Sequence, residues 1–416
     1  MSETTTEELV LDPYSIPLDG QFNVAQPRLF QQDAQWAYFE RLRKEAPVHF
    51  CEDSIFGPYW SVTKYKDIME VDTSHDIFSS ASGITIVDQD EDFTLPMFIA
   101  MDPPTHDEQR KVVSPVVAPM NLKLLESTIR ERAAGLLDEL PLGEEIDWVD
   151  RISIELTTQM LATLFDFPFE ERRRLTRWSD VATANEDSGI IESEEQRKEE
   201  LLECLGVFSE IFKQRQVKPG NNDLITMLAH GESTKDLLDR PMEFLGNLVL
   251  LIVGGNDTTR NSITGGVLAL NKYPEEYAKL RADPKLITSM VPEIIRWQTP
   301  LAHMRRRALK DTELGGKKIK AGDKVVMWYV SGNRDEEAIE NPERLIIDRA
   351  RPRQHVAFGF GIHRCMGNRL AEMQLRIVWE EIMKRFDNIE VVGEPKRIYS
   401  TFVRGYSELP VVLHGK

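Results

Sequence analysis

Apolar positions recur at helical spacing along most of this chain, and two stretches break that rhythm. Residues 242–272 read as one helix, on the order of 45 Å long. Its first half, from Phe244 to Val253, is apolar on nearly every side and predicts an element that crosses the interior. In its middle, Gly254-Gly255-Asn256-Asp257-Thr258-Thr259 sets two helix-weakening glycines before an acid and two hydroxyls. Burying Asp257 and Thr258 is costly unless they are paired or hydrated, so a local widening that admits water is expected there. A close helix contact permitted by the glycines is the alternative. The second break lies near the C-terminus. Ala371, Leu375, Val378, Trp379, Ile382 and Phe386 form a helical stripe, and Phe358-Gly359-Phe360-Gly361-Ile362-His363-Arg364-Cys365-Met366-Gly367 runs into it.

The remaining pattern predicts a mainly α protein with small β-sheets. A helix over 34–44 precedes strands at 48–50 and 59–63, with Phe56-Gly57-Pro58 turning between them, and a helix over 64–71 follows. Residues 79–100 hold no period but are rich in Ile, Val, Phe, Leu and Met, and a loop of that length inside a compact domain is usually functional or disordered. After Pro103-Pro104 a helix is expected from Thr105 as N-cap, with Glu108 at capping-box spacing, which places His106 and Arg110 on one face. Further helices are expected over 122–140, 149–165, 172–184 and 196–217, and a strand over 324–330 after turns at Gly315-Gly316 and Gly322-Asp323. No Gly/Ser-rich or Pro-rich linker divides the chain, so residues 1–416 are expected to form a single domain with 1–20 as a flexible N-terminal tail.

A net charge of −18 argues against nucleic acid or an anionic membrane as partner. The apolar run at 244–253 is about half the ~20 residues that span a bilayer, and the first residues lack the pattern of a secretory signal, so stable membrane insertion is not expected and the location is expected to be cytoplasmic. Arg172-Arg173-Arg174 after Glu170-Glu171 reads as a solvated charged face. Cys51, Cys204 and Cys365 are far apart and form no C-x-x-C, which suggests neither a zinc site nor a disulfide framework.

Cys365 stands at or just before a helix N-terminus, where unpaired N–H groups and the helix dipole favour a thiolate. Gly359, Gly361 and Gly367 leave room for a flat ligand or another backbone. A thiolate there could bind iron; a buried structural cysteine is the other reading. Phe-Gly-x-Gly-x-His-x-Cys-x-Gly resembles the haem-binding loop of the cytochromes P-450, the haem-thiolate monooxygenases, and the order of helix, two strands and helix near the N-terminus matches the start of that fold.

The resemblance implies a long central helix over a haem b (iron protoporphyrin IX), with Cys365 as iron ligand and Phe358, Gly359 and Gly255 against the cofactor. The Asp257-Thr258 pair matches the family's oxygen-activation motif, so these two residues would deliver protons while the thiolate favours O–O cleavage. His106, Arg110, Arg306 and His363 would hold the propionates, with Arg305 and Arg307 as competing assignments to Arg306. Glu293 and Arg296 match the structural Glu-x-x-Arg, whose third partner is expected to be Arg351, with Arg349 open. The loop at 79–100 would cover the substrate, and the charged helices over 172–217 would form a mobile lid. Expected substrate walls are Ile84, Ile86, Val87, Leu95, Phe98, Leu250, Leu251, Val253, Leu301 and Phe402.

Residues 254–262, 300–306 and 326–334 look like the bacterial family 153, soluble alkane and fatty-acid terminal hydroxylases. That resemblance implies insertion of one atom of O2 into a terminal C–H bond of a medium-chain apolar molecule, with electrons from NAD(P)H through a ferredoxin and a ferredoxin reductase. Rival readings are a same-fold enzyme acting on a terpene or other ring substrate, a peroxide-driven peroxygenase, and a non-enzymatic haem sensor.

Overall fold

The structure, a computed structural model, describes residues 10–416. Helices dominate it. In chain order those that frame the site are α1 (Gln35–Glu45), α2 (Tyr65–Thr73), α3 (Thr105–Val113), α4 (Pro119–Asp138), α5 (Glu155–Phe165), α6 (Arg173–Thr183), α7 (Glu194–Val217), α8 (Pro241–Lys272), α9 (Ile287–Gln298) and α10 (Asn368–Arg385). The apolar first half of α8 explains its place: it packs against α5, α6, α9 and α10 in the largest core cluster. Asn271 at its far end ties it to the Phe386–Val391 strand through the Ile389 carbonyl (2.9 Å).

One five-stranded sheet closes the other side. Its strands are β1 (Val48–Cys51), β2 (Tyr59–Val62), β3 (Phe78–Ser79), β4 (Met304–Ala308) and β5 (Lys324–Met327), in the order β1-β2-β5-β4-β3. The β2 and β5 strands run parallel, with Trp60 opposite Val325, while the other pairs are antiparallel. Strand β5 is buried along its whole length, as a central strand with both faces covered should be.

Several expectations shift. Thr105 is the first helical residue of α3, with no side-chain cap, so the capping box does not form. Helix α5 is preceded by a π-helical turn over Val149–Ile154, and a short helix at Leu224–His230 lies where only a charged region was expected. Residues 1–9 of the expected N-terminal tail lie outside the described residues. The following segment is tied down, because Tyr38 donates to the Leu11 carbonyl (2.9 Å) and Arg41 to those of Pro13 and Ile16.

The Glu-x-x-Arg pair sits in the core as a closed network. Arg296 Nε and Nη2 donate to the two Glu293 oxygens at 2.8 Å each, and both side chains are fully buried. The remaining guanidinium hydrogens reach the carbonyls of Asn333, Pro342 and Arg344. The third partner is Arg349, with Nε 2.9 Å from Glu293 Oε2, and not Arg351. The segment carrying Arg344 and Ile346 wraps the pair, with the Ile346 N–H also donating to Glu293 (2.9 Å). That path leaves Arg349 inside and Arg351 exposed beyond it.

Candidate functional site

Between α8, the Cys365 loop and the 79–100 segment lies a cavity of about 900 Å³, near the upper end of ordinary ligand sites. Cys365, Gly367 and Leu370 line one end. Gly254, Gly255 and Thr258 line the flank formed by α8, and Asp90, Asp187 and Lys198 lie at its outer rim. All ten residues expected as substrate walls line it: Ile84, Ile86, Val87, Leu95, Phe98, Leu250, Leu251, Val253, Leu301 and Phe402.

The cysteine loop is held by its backbone. Cys365 N–H donates to the Phe358 carbonyl (2.8 Å), and α10 begins three residues later. Cys51 and Cys204 are buried, whereas Cys365 exposes its surface, and that surface faces the cavity. Burial pushes its thiol up, opposed by the N–H groups of Gly367 and Asn368 and the charges of Arg110 and Arg364. The glycines serve the loop's own packing. A Cβ on Gly361, whose φ is +65°, would lie 2.2 Å from the Asp72 carbonyl oxygen, and one on Gly359 would lie 3.0 Å from the Tyr329 hydroxyl.

Asp72, at the end of α2, is a site residue with no motif to announce it. Its buried carboxylate accepts from Arg306 Nη2 (3.0 Å), Tyr329 Oη (2.7 Å) and the Phe360 N–H (3.0 Å). One acid thus fixes both a cavity arginine and the approach to Cys365. Its alternation with buried Ile68 and Val71 on α2 is the only sequence signal that it faces inward. Burial raises its carboxyl, against the pull of Arg306. Of the three consecutive arginines, Arg306 lines the cavity; Arg305 and Arg307 turn to Asp88.

His106 and His363 meet edge to face with ring centroids 4.3 Å apart. His363 lines the cavity, and His106 lies behind it. His106 Nδ1 engages Asp107, but its Nε2 and both nitrogens of His363 are buried without hydrogen-bond partners. Arg110 lines the cavity and donates to the Arg364 carbonyl.

Helix α8 is continuous through residues 254–259. Thr258 lines the cavity and its Oγ1 donates to the Gly254 carbonyl (2.8 Å), the back-bond that satisfies a helical hydroxyl. Nothing lies within 4 Å of where a Gly254 Cβ would be, while a Cβ on Gly255 would press on Leu161 at 2.7 Å. Gly254 is therefore the open glycine and Gly255 the close helix contact. Asp257 is fully buried and does not reach the cavity wall. Its Oδ1 accepts from Arg260 Nη2 (2.7 Å), which also reaches Asp180 on α6 (3.0 Å), and from Asn256 Nδ2 (3.2 Å), with the hydroxyls of Ser179 and Thr183 also favouring its charged form. Burial raises the Asp257 carboxyl while Arg260 pulls it down.

Comparison with known proteins agrees with this geometry. The cytochrome P450 family model matches residues 190–409. Linalool 8-monooxygenase of Pseudomonas putida is 38% identical over 401 residues, covering 93% of this chain and 97% of the relative. The chain belongs to the cytochrome P450 family and is a haem-dependent monooxygenase. Within the family it is most like the 153 proteins. The solved cytochrome P450-153 from Novosphingobium aromaticivorans superposes with a TM-score of 0.89 at 45% identity, covering 95% of this chain and 100% of that one. For CYP153D17 from a Sphingomonas species the values are 0.87 and 49%, covering 94% and 98%.

The residues fit a haem. A cysteine sulfur faces the cavity, Arg110, Arg306 and His363 line it with His106 packed behind His363, and three nitrogens of the two imidazoles have no hydrogen-bond partner among the described residues, a setting that suits the two carboxylates of such a group. Among the described residues no helix is long and apolar enough to cross a membrane.

Proposed function

We propose that this monooxygenase hydroxylates the terminal carbon of a medium-chain alkane, fatty acid or similar apolar molecule. The observation that carries this reading is the cavity itself: Ile, Val, Leu and Phe side chains from the 79–100 segment, α8, Leu301 and Phe402 line the same space as Cys365. Each methylene buried there contributes about 0.8 kcal/mol, enough to hold a chain that offers few hydrogen bonds. Likeness to the 153 proteins supports attack at a chain end.

When bound, the haem supplies the iron chemistry that inserts one oxygen atom of O2 into a C–H bond and releases the other as water. Cys365 would ligate it, with the Gly367 and Asn368 N–H groups favouring the thiolate form against burial. Arg306, held by Asp72, would receive the propionates together with His363 and Arg110, and His106 would join them from behind His363. Thr258 holds a proton at Oγ1 on the cavity wall. By turning from the Gly254 carbonyl it passes that proton inward. Asp257, one residue away, is held by Arg260 behind the wall, and by turning from Arg260 it resupplies that proton.

Electrons come from NAD(P)H through a ferredoxin and its reductase in the cytoplasm. Arg364 and Lys111, both exposed beside the cysteine loop, offer a cationic docking spot on an otherwise acidic protein. Arg364→Glu slows reduction without changing substrate affinity; an unchanged reduction rate removes the docking spot from the account.

A second reading has its own support: linalool 8-monooxygenase, the relative at 38% identity, is named for a terpenoid alcohol. Incubation with a reductase system, O2 and a panel of alkanes, fatty acids and terpenes, followed by product identification, separates the two. A terminal alcohol from a linear chain is expected. Oxidation of terpenes alone would select the second reading, and no oxygenated product from any compound would overturn both.

A further inference from the structure

His303 is fully buried and absent from the cavity lining, yet both of its ring nitrogens are bonded to cavity walls. The Ile86 N–H donates to Nε2 at 3.0 Å, so Nε2 carries a lone pair and the proton sits on Nδ1. Nδ1 then donates to the Thr401 carbonyl at 2.9 Å. Ile86 belongs to the 79–100 segment and Thr401 precedes Phe402, and both Ile86 and Phe402 line the cavity. The imidazole also packs edge-on against Phe402 (centroids 5.4 Å) and Trp328 (4.9 Å). One neutral ring therefore joins two walls contributed by chain segments more than three hundred residues apart.

Neighbouring bonds make the joint specific. The Arg305 N–H donates to the Ile84 carbonyl (2.7 Å), Lys324 Nζ to the Ile86 carbonyl (3.0 Å), and the Ala302 N–H to the Phe402 carbonyl (2.8 Å). Arg305 and Lys324 tie the first wall to the sheet, and Ala302 ties the second to the segment that leads into β4. Among the described residues, only His303 hydrogen-bonds both walls with its side chain. We propose that His303 is a positioning residue that sets the width of the substrate cavity by bridging Ile86 to Thr401–Phe402, and so determines which carbon of the substrate is presented for oxidation. This rests on the cavity being the substrate site, as argued above.

The test uses the haem-loaded enzyme and two variants. His303→Leu keeps apolar packing but leaves the Ile86 N–H and the Thr401 carbonyl unpartnered. His303→Gln keeps one donor and one acceptor on the side chain. Without substrate, hydrogen exchange at the Ile86 amide is expected to quicken at least about tenfold in His303→Leu, with exchange across the Glu293–Arg296 turn of α9 unchanged. With a linear substrate, hydroxylation is expected to spread from the terminal to the adjacent carbon and binding to weaken about tenfold. His303→Gln should recover much of the original pattern. Where His303→Leu does not fold, His303→Asn, whose shorter amide can reach one partner only, gives the same readouts.

An unchanged product ratio and unchanged Ile86 exchange in a folded His303→Leu or His303→Asn enzyme would overturn the proposal. So would faster exchange spread evenly over the whole fold, because that marks general destabilisation. If the wild type oxidises nothing in the panel, the functional reading fails, while the exchange result still decides whether His303 joins the two walls.

Discussion

The floor and the walls of the cavity are built on opposite principles. The floor, residues 358–367, is over-determined: its backbone is locked by the Phe358–Cys365 bond, by glycines that let Asp72 and Tyr329 approach, and by an acid that also holds Arg306. The walls are apolar side chains on irregular segments, held in place from behind by buried polar groups such as His303, Arg305 and Lys324. A floor of that kind tolerates few changes because each residue type meets a specific neighbour. A wall needs only apolar residues of suitable volume, and its shape depends on the groups behind it.

The contrast breaks most severely where the frame beneath the floor is charged. Glu293→Gln leaves Arg296 and Arg349 buried without a carboxylate and is expected to cost about 3–5 kcal/mol in denaturant unfolding, with poor haem retention. On the α8 wall, where Thr258, Thr259 and Ser262 supply the hydroxyls, Thr258→Ala should leave substrate affinity intact and lower coupled product formation by about 100-fold. Unchanged coupling would remove Thr258 from proton delivery.

Behind the other wall, burial lowers His303 from 6.5 to about 4, with the nearby charge of Arg305 acting in the same direction. The folded protein thus keeps this imidazole neutral while the unfolded chain protonates near 6.5. Stability from this group is complete above pH 6.5, falls as the pH drops towards 4 and changes no further below it. The loss is about 3 kcal/mol. The stability difference between wild type and His303→Gln should shift by that amount over this range, and a pH-independent difference would show that His303 titrates normally. The smallest effect sharpens the network: Arg351→Ala should stay within about 0.5 kcal/mol of wild type, whereas Arg349→Ala should lose clearly more.

What the sequence disclosed follows the same division. The long helix, the α10 stripe and the cysteine loop were legible because period and spacing are local properties. The apolar composition of 79–100 also sufficed to name wall residues that do line the cavity. Three things were not legible. Asp72 and His303 act across 234 and 217 residues, on Arg306 and Ile86 respectively, and no local pattern encodes such a partner. The choice of Arg349 over Arg351 depends on how the 344–349 segment wraps Arg296. The anchoring of the loop's far end was hidden as well. Pro96 passes so close to α8 that a Cβ on Gly246 would lie 2.0 Å from its carbonyl oxygen, and the Phe98 N–H donates to Asn247 (2.9 Å). Gly246 had looked like one more apolar position of the helix.

The central claim is that Cys365, alone among the three cysteines, binds the haem iron as a thiolate. The reduced carbon monoxide difference spectrum of the wild type and of Cys365→His tests it most directly. The wild type should give the thiolate-type spectrum and Cys365→His should lose it, while Cys51→Ser and Cys204→Ser keep it where they fold. A thiolate-type spectrum persisting in Cys365→His would contradict the assignment.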